Sequence, residues 1–195
     1  MYQKEISKEE VNELPLTKYE GEIELITDSE SLDEALKEIE EYSVIGFDTE
    51  TKPTFRRGAK NHIALIQIAT EEKVYLIRVQ ETGVTPALED LLSNPDIHKI
   101  GIALTDDIRG MKEIADILPQ GYIDLATEVK AMGWKVTGAR NLSAIFLKIR
   151  ISKNQQTSNW EKSEYSPQQI DYAATDAWIC LEIYKKIQEY QALMA

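Results

Sequence analysis

The 195-residue chain has one cysteine and two histidines, and no window in it approaches the roughly 18 continuous apolar residues of a membrane span. The lone Cys180 excludes an internal disulfide. With His62 and His98 far apart in sequence, there is no Cys/His cluster for a soft-ligand zinc site. The opening "MYQKEISKEE" lacks the apolar stretch of a secretory signal, so the expectation is a cytoplasmic chain with no membrane partner. A glycine-rich phosphate loop is missing as well. "GFDTETKP" is no such loop, which argues against a nucleotide-binding α/β module. Repeats, low-complexity tracts and internal linkers are also absent.

What is present is a composition of 43% hydrophobic and 29% charged residues, which suits one domain with a sizeable core. The net charge of −12 would oppose a polyanionic partner, but it is unevenly spread. Residues 1–42 hold 14 Asp and Glu against 4 Lys and Arg, whereas residues 43–195 hold 20 acids and 18 bases. Two windows carry no acid, 51–70 with Lys52, Arg56, Arg57 and Lys60, and 129–160 with Lys130, Lys135, Arg140, Lys148, Arg150 and Lys153. Such runs suit either a phosphate backbone or an ordinary solvated surface.

Residues 1–20 are polar and aperiodic, and read as an N-terminal arm outside the core. Residues 21–195 read as a single domain. "EIELIT" is a short strand, and "SESLDEALKEIEEY" is an amphipathic helix with Ser31 and Glu34 in capping-box spacing. "SVIGFDTE", "HIALIQIAT" and "KVYLIRV" are three adjacent, largely antiparallel strands. Pro86 marks the start of a further helix, followed by the strand "IHKIGIAL" and the helix "DDIRGMKEIADIL". "YIDLATEVKAMG" runs from strand into helix, and "NLSAIFLKI" is a helix. The last helix begins near Ser166 as cap and Pro167 in its first turn. This order predicts an α/β fold with helices on both faces of one mixed central sheet.

Three acidic features carry chemistry. Asp48 and Glu50 lie two apart on a strand, so both face one way about 6.6 Å apart. "IGIALTDD" ends a second strand in Asp106 and Asp107, a pattern that also suits helix capping. In "YAATDAW", Tyr172 and Asp176 stand one turn apart on a helix, among small alanines that suggest close packing. Carboxylate oxygens without a histidine or cysteine cluster suit Mg²⁺ or Mn²⁺. Taken singly, each feature also reads as solvated or capping acids.

The ordered set "FDTE", "GIALTDD" and "YAATD" resembles the three exonuclease motifs of the DEDD superfamily, tyrosine subclass, the group of ribonuclease D and the Werner-syndrome exonuclease domain. The resemblance spans about residues 40–188. It implies a ribonuclease-H-like fold and hydrolytic removal of nucleotides from a free 3′ end of DNA or RNA. It also implies a catalytic set of Asp48, Glu50, Asp107, Tyr172 and Asp176, with the four acids as ligands of two divalent ions, Mg²⁺ or Mn²⁺. Asp107 is the aligned acid, six residues after Gly101, with Asp106 as its neighbour. The stretch ahead of the third motif contributes Lys148, Lys153, Gln156, Ser158 and Trp160. Thr49, Arg56, Arg57, Lys60, Lys153 and Trp160 are the expected substrate-binding residues, with Phe55 or Trp160 either a surface on which a base stacks or, the favoured alternative, packed in or against the core. The competing reading is a non-catalytic nucleic-acid-binding relative of the same fold.

Overall fold

The computed structural model of the chain describes residues 2–54 and 61–194. In chain order the elements are α1 (Lys8–Glu13), β1 (Glu22–Ile26), α2 (Ser29–Ile39), β2 (Val44–Thr51), β3 (Ile63–Ala69), β4 (Lys73–Arg78), α3 (Val79–Thr82) and α4 (Pro86–Ser93). Then follow β5 (His98–Gly101), α5 (Thr105–Ile114), β6 (Tyr122–Asp124), α6 (Leu125–Ala131), α7 (Ala139–Leu142) and the long α8 (Pro167–Met194). The expected helix "NLSAIFLKI" is α7 continued by a π-helical turn, Ser143–Leu147, which stops where Lys148 adopts a positive φ of 59°.

The six strands form one sheet in the order β1-β4-β3-β2-β5-β6. As expected, β2, β3 and β4 pair antiparallel; β1, β5 and β6 join parallel, which makes the sheet mixed. The β3–β4 hairpin is tight, with Thr70 N–H donating to the Lys73 carbonyl at 3.0 Å. β3 is buried along its whole length, as expected of a strand covered on both faces. One face packs α2, α4 and α5 through Leu32, Leu36, Leu88, Leu91 and Met111. The other packs α8 through Ala173, Ala174 and Ala177, close to Leu65, Ala69 and Leu76. Each large apolar side chain buried this way stabilises by about 1.5–3 kcal/mol.

Two local expectations are corrected. The cap of α2 is Asp28, whose carboxylate accepts from the Ser31 N–H and hydroxyl at 2.9 Å each. The Ser31–Glu34 pairing therefore lies inside the helix. An aspartate three residues upstream wins because its charge also favours the positive helix end. The true capping boxes are Ser7 with Glu10 and Ser166 with Gln169, the latter opening α8 as expected.

The N-terminal segment also contacts the core more closely than its polarity suggests. Val11 of α1 is buried, Leu16 bridges Arg150, and Thr17 N–H donates to the Arg150 carbonyl at 2.8 Å. Tyr2 packs on Phe146 at 4.7 Å between ring centroids. A few apolar residues spaced along a charged stretch produce no periodicity, so this docking leaves no pattern to read. Among the described residues, no helix is long and apolar enough to cross a membrane.

Candidate active site

α8 crosses β2 where the strand has no side chain. A Cβ on Gly46 would lie 2.1 Å from the Ala177 carbonyl oxygen and 3.2 Å from the Ala69 Cβ, so only glycine permits this approach. With Ala173, Ala174 and Ala177 fully buried on the helix, the two backbones come close enough for Asp176 to meet the acids of β2. One ligand oxygen from each of Asp48, Glu50 and Asp176 lies within 4.8 Å of the others. Alternation on β2 sends Asp48 and Glu50 to the α8 side, while Phe47 points into the opposite core.

Burial raises the pKa of all three acids, and repulsion from neighbouring carboxylates adds to it for Asp48 and Glu50. Burial pushes Asp48 well above the usual carboxylate range, with Asp176 and Asp107 adding to the effect. Burial, then Asp48 and Asp176, push Glu50 up to about 10. Asp176 rises to about 7, raised by burial and partly offset by Tyr172 and Lys153. Such a cluster is held together at a cost unless a cation compensates it. A set of hard carboxylate oxygens this close fits a divalent metal ion.

Asp107 stands apart from the trio. Its Oδ1 accepts from the Thr49 hydroxyl at 2.5 Å, and burial raises its pKa above the usual carboxylate value. Asp106 is exposed on the first turn of α5 and pairs with Arg109 at 2.8 Å. The doublet therefore divides, with Asp107 turned toward β2 and Asp106 toward solvent. The second strand is shorter than "IGIALTDD" suggested. It ends at Gly101, and Ala103 takes a φ of 62° with its N–H held by Asp124 Oδ1 at 2.8 Å. That turn puts Ala103 in the cleft wall, a placement no residue pattern foretold.

Tyr172 lies on α8 one turn before Asp176. Burial, then the Asp176 and Glu50 carboxylates, raise its phenol further above its ordinary value. Its ring packs against Trp160 at 6.1 Å between centroids. Trp160 itself is 1% exposed, wedged between Tyr172 and Tyr165, whose hydroxyl donates to the Trp160 carbonyl at 2.7 Å. The expectation that Trp160 stacks on a base is thus corrected. An indole with no free face supports Tyr172 and cannot receive a nucleobase. Arg78 secures the same loop, its guanidinium donating to the Ser163 and Lys162 carbonyls and lying over the Tyr165 ring.

A cleft of about 330 Å³ is lined by Asp48, Glu50, Tyr172, Asp176, Lys153 and Gln156, among others. A neighbouring one of about 470 Å³ shares Thr49, Glu50 and Gln156 with it, and adds Asp107, Arg109 and Asn61. Lys153 lines the first cleft and Thr49 lines both, whereas Lys148 and Ser158 line neither. Phe55, Arg56, Arg57 and Lys60 lie outside the described residues.

The comparisons with known proteins bear on this geometry. A protein-family model described as 3′-5′ exonuclease matches residues 23–190. The chain belongs to the 3′-5′ exonuclease family. It is 29% identical over 151 residues to the mouse bifunctional 3′-5′ exonuclease/ATP-dependent helicase WRN, covering 74% of this chain and 11% of that protein. Ribonuclease D of Haemophilus influenzae is 29% identical over 167 residues, covering 85% of this chain and 41% of that protein. The chain thus spans less than half the length of either relative. The crystal structure of the Aedes aegypti Nibbler EXO domain superposes with a TM-score of 0.83 at 24% identity, covering 91% of this chain and 94% of that one. The fold is ribonuclease-H-like, as the motif resemblance implied. Members of this exonuclease family depend on divalent metal, which agrees with the carboxylate cluster.

Proposed function

We propose that this chain hydrolyses phosphodiester bonds stepwise from the free 3′ end of DNA or RNA, as a metal-dependent 3′-5′ exonuclease. The observation that carries this reading is the convergence of Asp48, Glu50 and Asp176 within 4.8 Å beside Tyr172. Asp48, Glu50, Asp176 and, across the Thr49 hydrogen bond, Asp107 would hold two Mg²⁺ or Mn²⁺ ions, which supply an activated water and a clamp on the leaving oxygen.

The remaining side chains position the substrate. Tyr172, held by Trp160, donates its hydroxyl hydrogen to orient the nucleophile or the scissile phosphate. Lys153, exposed at the rim, and Gln156, shared by both clefts, contact phosphate oxygens. Arg56, Arg57 and Lys60, which follow Glu50 in the chain, extend this basic border. Balanced charge over residues 43–195 leaves the domain free of strong repulsion toward a polyanion once the acids are neutralised by metal. The working unit in this reading is one domain over residues 21–195 with residues 1–20 as an arm docked on it, acting in the cytoplasm.

The test is side-by-side digestion of matched 5′-labelled and 3′-labelled DNA and RNA, single-stranded and recessed, with Mg²⁺ or Mn²⁺. The expected result is a ladder shortening from the 3′ end that disappears with chelator. Binding without cleavage under every condition would instead favour a non-catalytic nucleic-acid-binding relative.

A further inference from the structure

Gln67 of β3 is fully buried, and neither its amide nitrogen nor its amide oxygen has a hydrogen-bond partner. It stands directly opposite Asp48 in the antiparallel β2–β3 register, and opposite Leu76 on its other side. Residues opposed in this way present their side chains to the same face, with Cβ atoms about 4.5–5.5 Å apart. Gln67 therefore lies on the α8 side of the sheet, next to the Asp48 side chain. The same layer holds the small or apolar Leu65, Ala69, Leu76, Ala173 and Ala177.

A leucine would fill this place without stranding polar atoms, and each buried unpaired polar group costs about 1–3 kcal/mol. Glutamine here is thus unfavourable for the ion-free fold alone. The polar feature adjoining it on β2 is the Asp48 carboxylate, an oxygen acceptor able to take a hydrogen bond from an amide N–H.

We propose that Gln67 is a positioning residue for the metal site, its Nε2–H donating to the Asp48 carboxylate when that carboxylate engages a divalent cation. This inference rests on the metal-site reading above. Ligating carboxylates are themselves oriented by hydrogen bonds, and removing such a partner typically weakens metal affinity by about 10–100-fold. Gln67 touches neither substrate nor cation in this account and acts only through Asp48.

The test compares wild type with Gln67→Leu, and with Gln67→Met as a second apolar variant should the branched side chain not fold. Two quantities are measured on each: the melting temperature without metal, and the Mn²⁺ dissociation constant by calorimetric titration. The expected result is a melting temperature equal to or above wild type together with Mn²⁺ binding weakened about 10–100-fold. Unchanged Mn²⁺ affinity in a folded variant would overturn the proposal, and a lowered melting temperature with unchanged affinity would make the amide purely structural. If wild type itself binds no Mn²⁺, the metal-site reading fails first and this inference with it.

Discussion

The Ala177 carbonyl oxygen occupies a point 2.1 Å from where a Cβ on Gly46 would stand, so a helix backbone and a strand backbone are in contact with no side chain between them. Asp176 precedes that contact by one residue and Asp48 follows it by two. The acids from opposite ends of the sequence meet because this crossing is so close.

Gly46→Ala should therefore act on both stability and the site. The added methyl meets backbone, which cannot rotate away, so the helix must move off the strand. Overpacking of this kind costs about 1–3 kcal/mol. Urea melts should register that loss, and exonuclease activity should fall by about tenfold or more because Asp176 moves away from Asp48. A variant with wild-type stability and activity would show that the crossing tolerates displacement.

The doublet gives a paired prediction. Asp106 pairs with Arg109 at the surface, so Asp106→Asn should leave kcat within about twofold, as is usual for an exposed ion pair. Asp107 is held by Thr49 beside the acidic trio, and Asp107→Asn should lower kcat by about 100-fold or more. Steady-state rates on one labelled oligonucleotide compare the two. The opposite ranking would assign the motif acid to Asp106.

Tyr172→Phe removes the hydroxyl and keeps the ring packed on Trp160. kcat should drop by about 10–100-fold while Mn²⁺ affinity measured by titration stays within about twofold, since the phenol is an orienting group and not a ligand. Loss of metal affinity in parallel with kcat would make the tyrosine part of the ion's own shell.

Lys99 supplies a pH test remote from the acids. It is fully buried in β5, where its Nζ donates to the Asn94 carbonyl at 2.5 Å, and burial lowers its pKa from 10.5 to about 8. The unfolded chain therefore binds one more proton than the folded one between about 8 and 10.5. Stability from this group rises with pH across that window and is lost as pH falls through about 8. Subtracting the urea stability of Lys99→Met from that of wild type at pH 7.5 and pH 10 should give a larger difference at the higher pH. A difference independent of pH would mean that the lysine keeps its ordinary acidity when buried.

The strands along the chain were legible from short-range rules, and the motif acids from the order of three motifs, since each acid alone also reads as solvated or capping. The apolar run "VIGF" marked β2, and Pro167 after Ser166 marked the start of α8. Features that depend on tertiary placement left no local trace. Trp160 in its basic loop suited either base stacking or core packing, and only the fold decides for packing, with Tyr165 and Tyr172 enclosing it. Gly46 carried a readable signal, since glycine inside a strand often marks a close backbone approach, and the alanines around Asp176 were its counterpart. The docking of residues 2–17 was hidden because it depends on a few scattered side chains, Val11 chief among them.

The central claim is that Asp48, Glu50 and Asp176 form one divalent-cation site. A Mn²⁺ titration followed by electron paramagnetic resonance, on wild type, Asp48→Asn and Asp176→Asn, tests it most directly. The account predicts that wild type takes up Mn²⁺, that each variant binds it at least about tenfold more weakly, and that neither variant melts below the metal-free wild type, because each replaces a buried carboxyl whose ionisation burial disfavours. Mn²⁺ left free by the wild-type protein at millimolar concentration, or bound equally by all three, would contradict it.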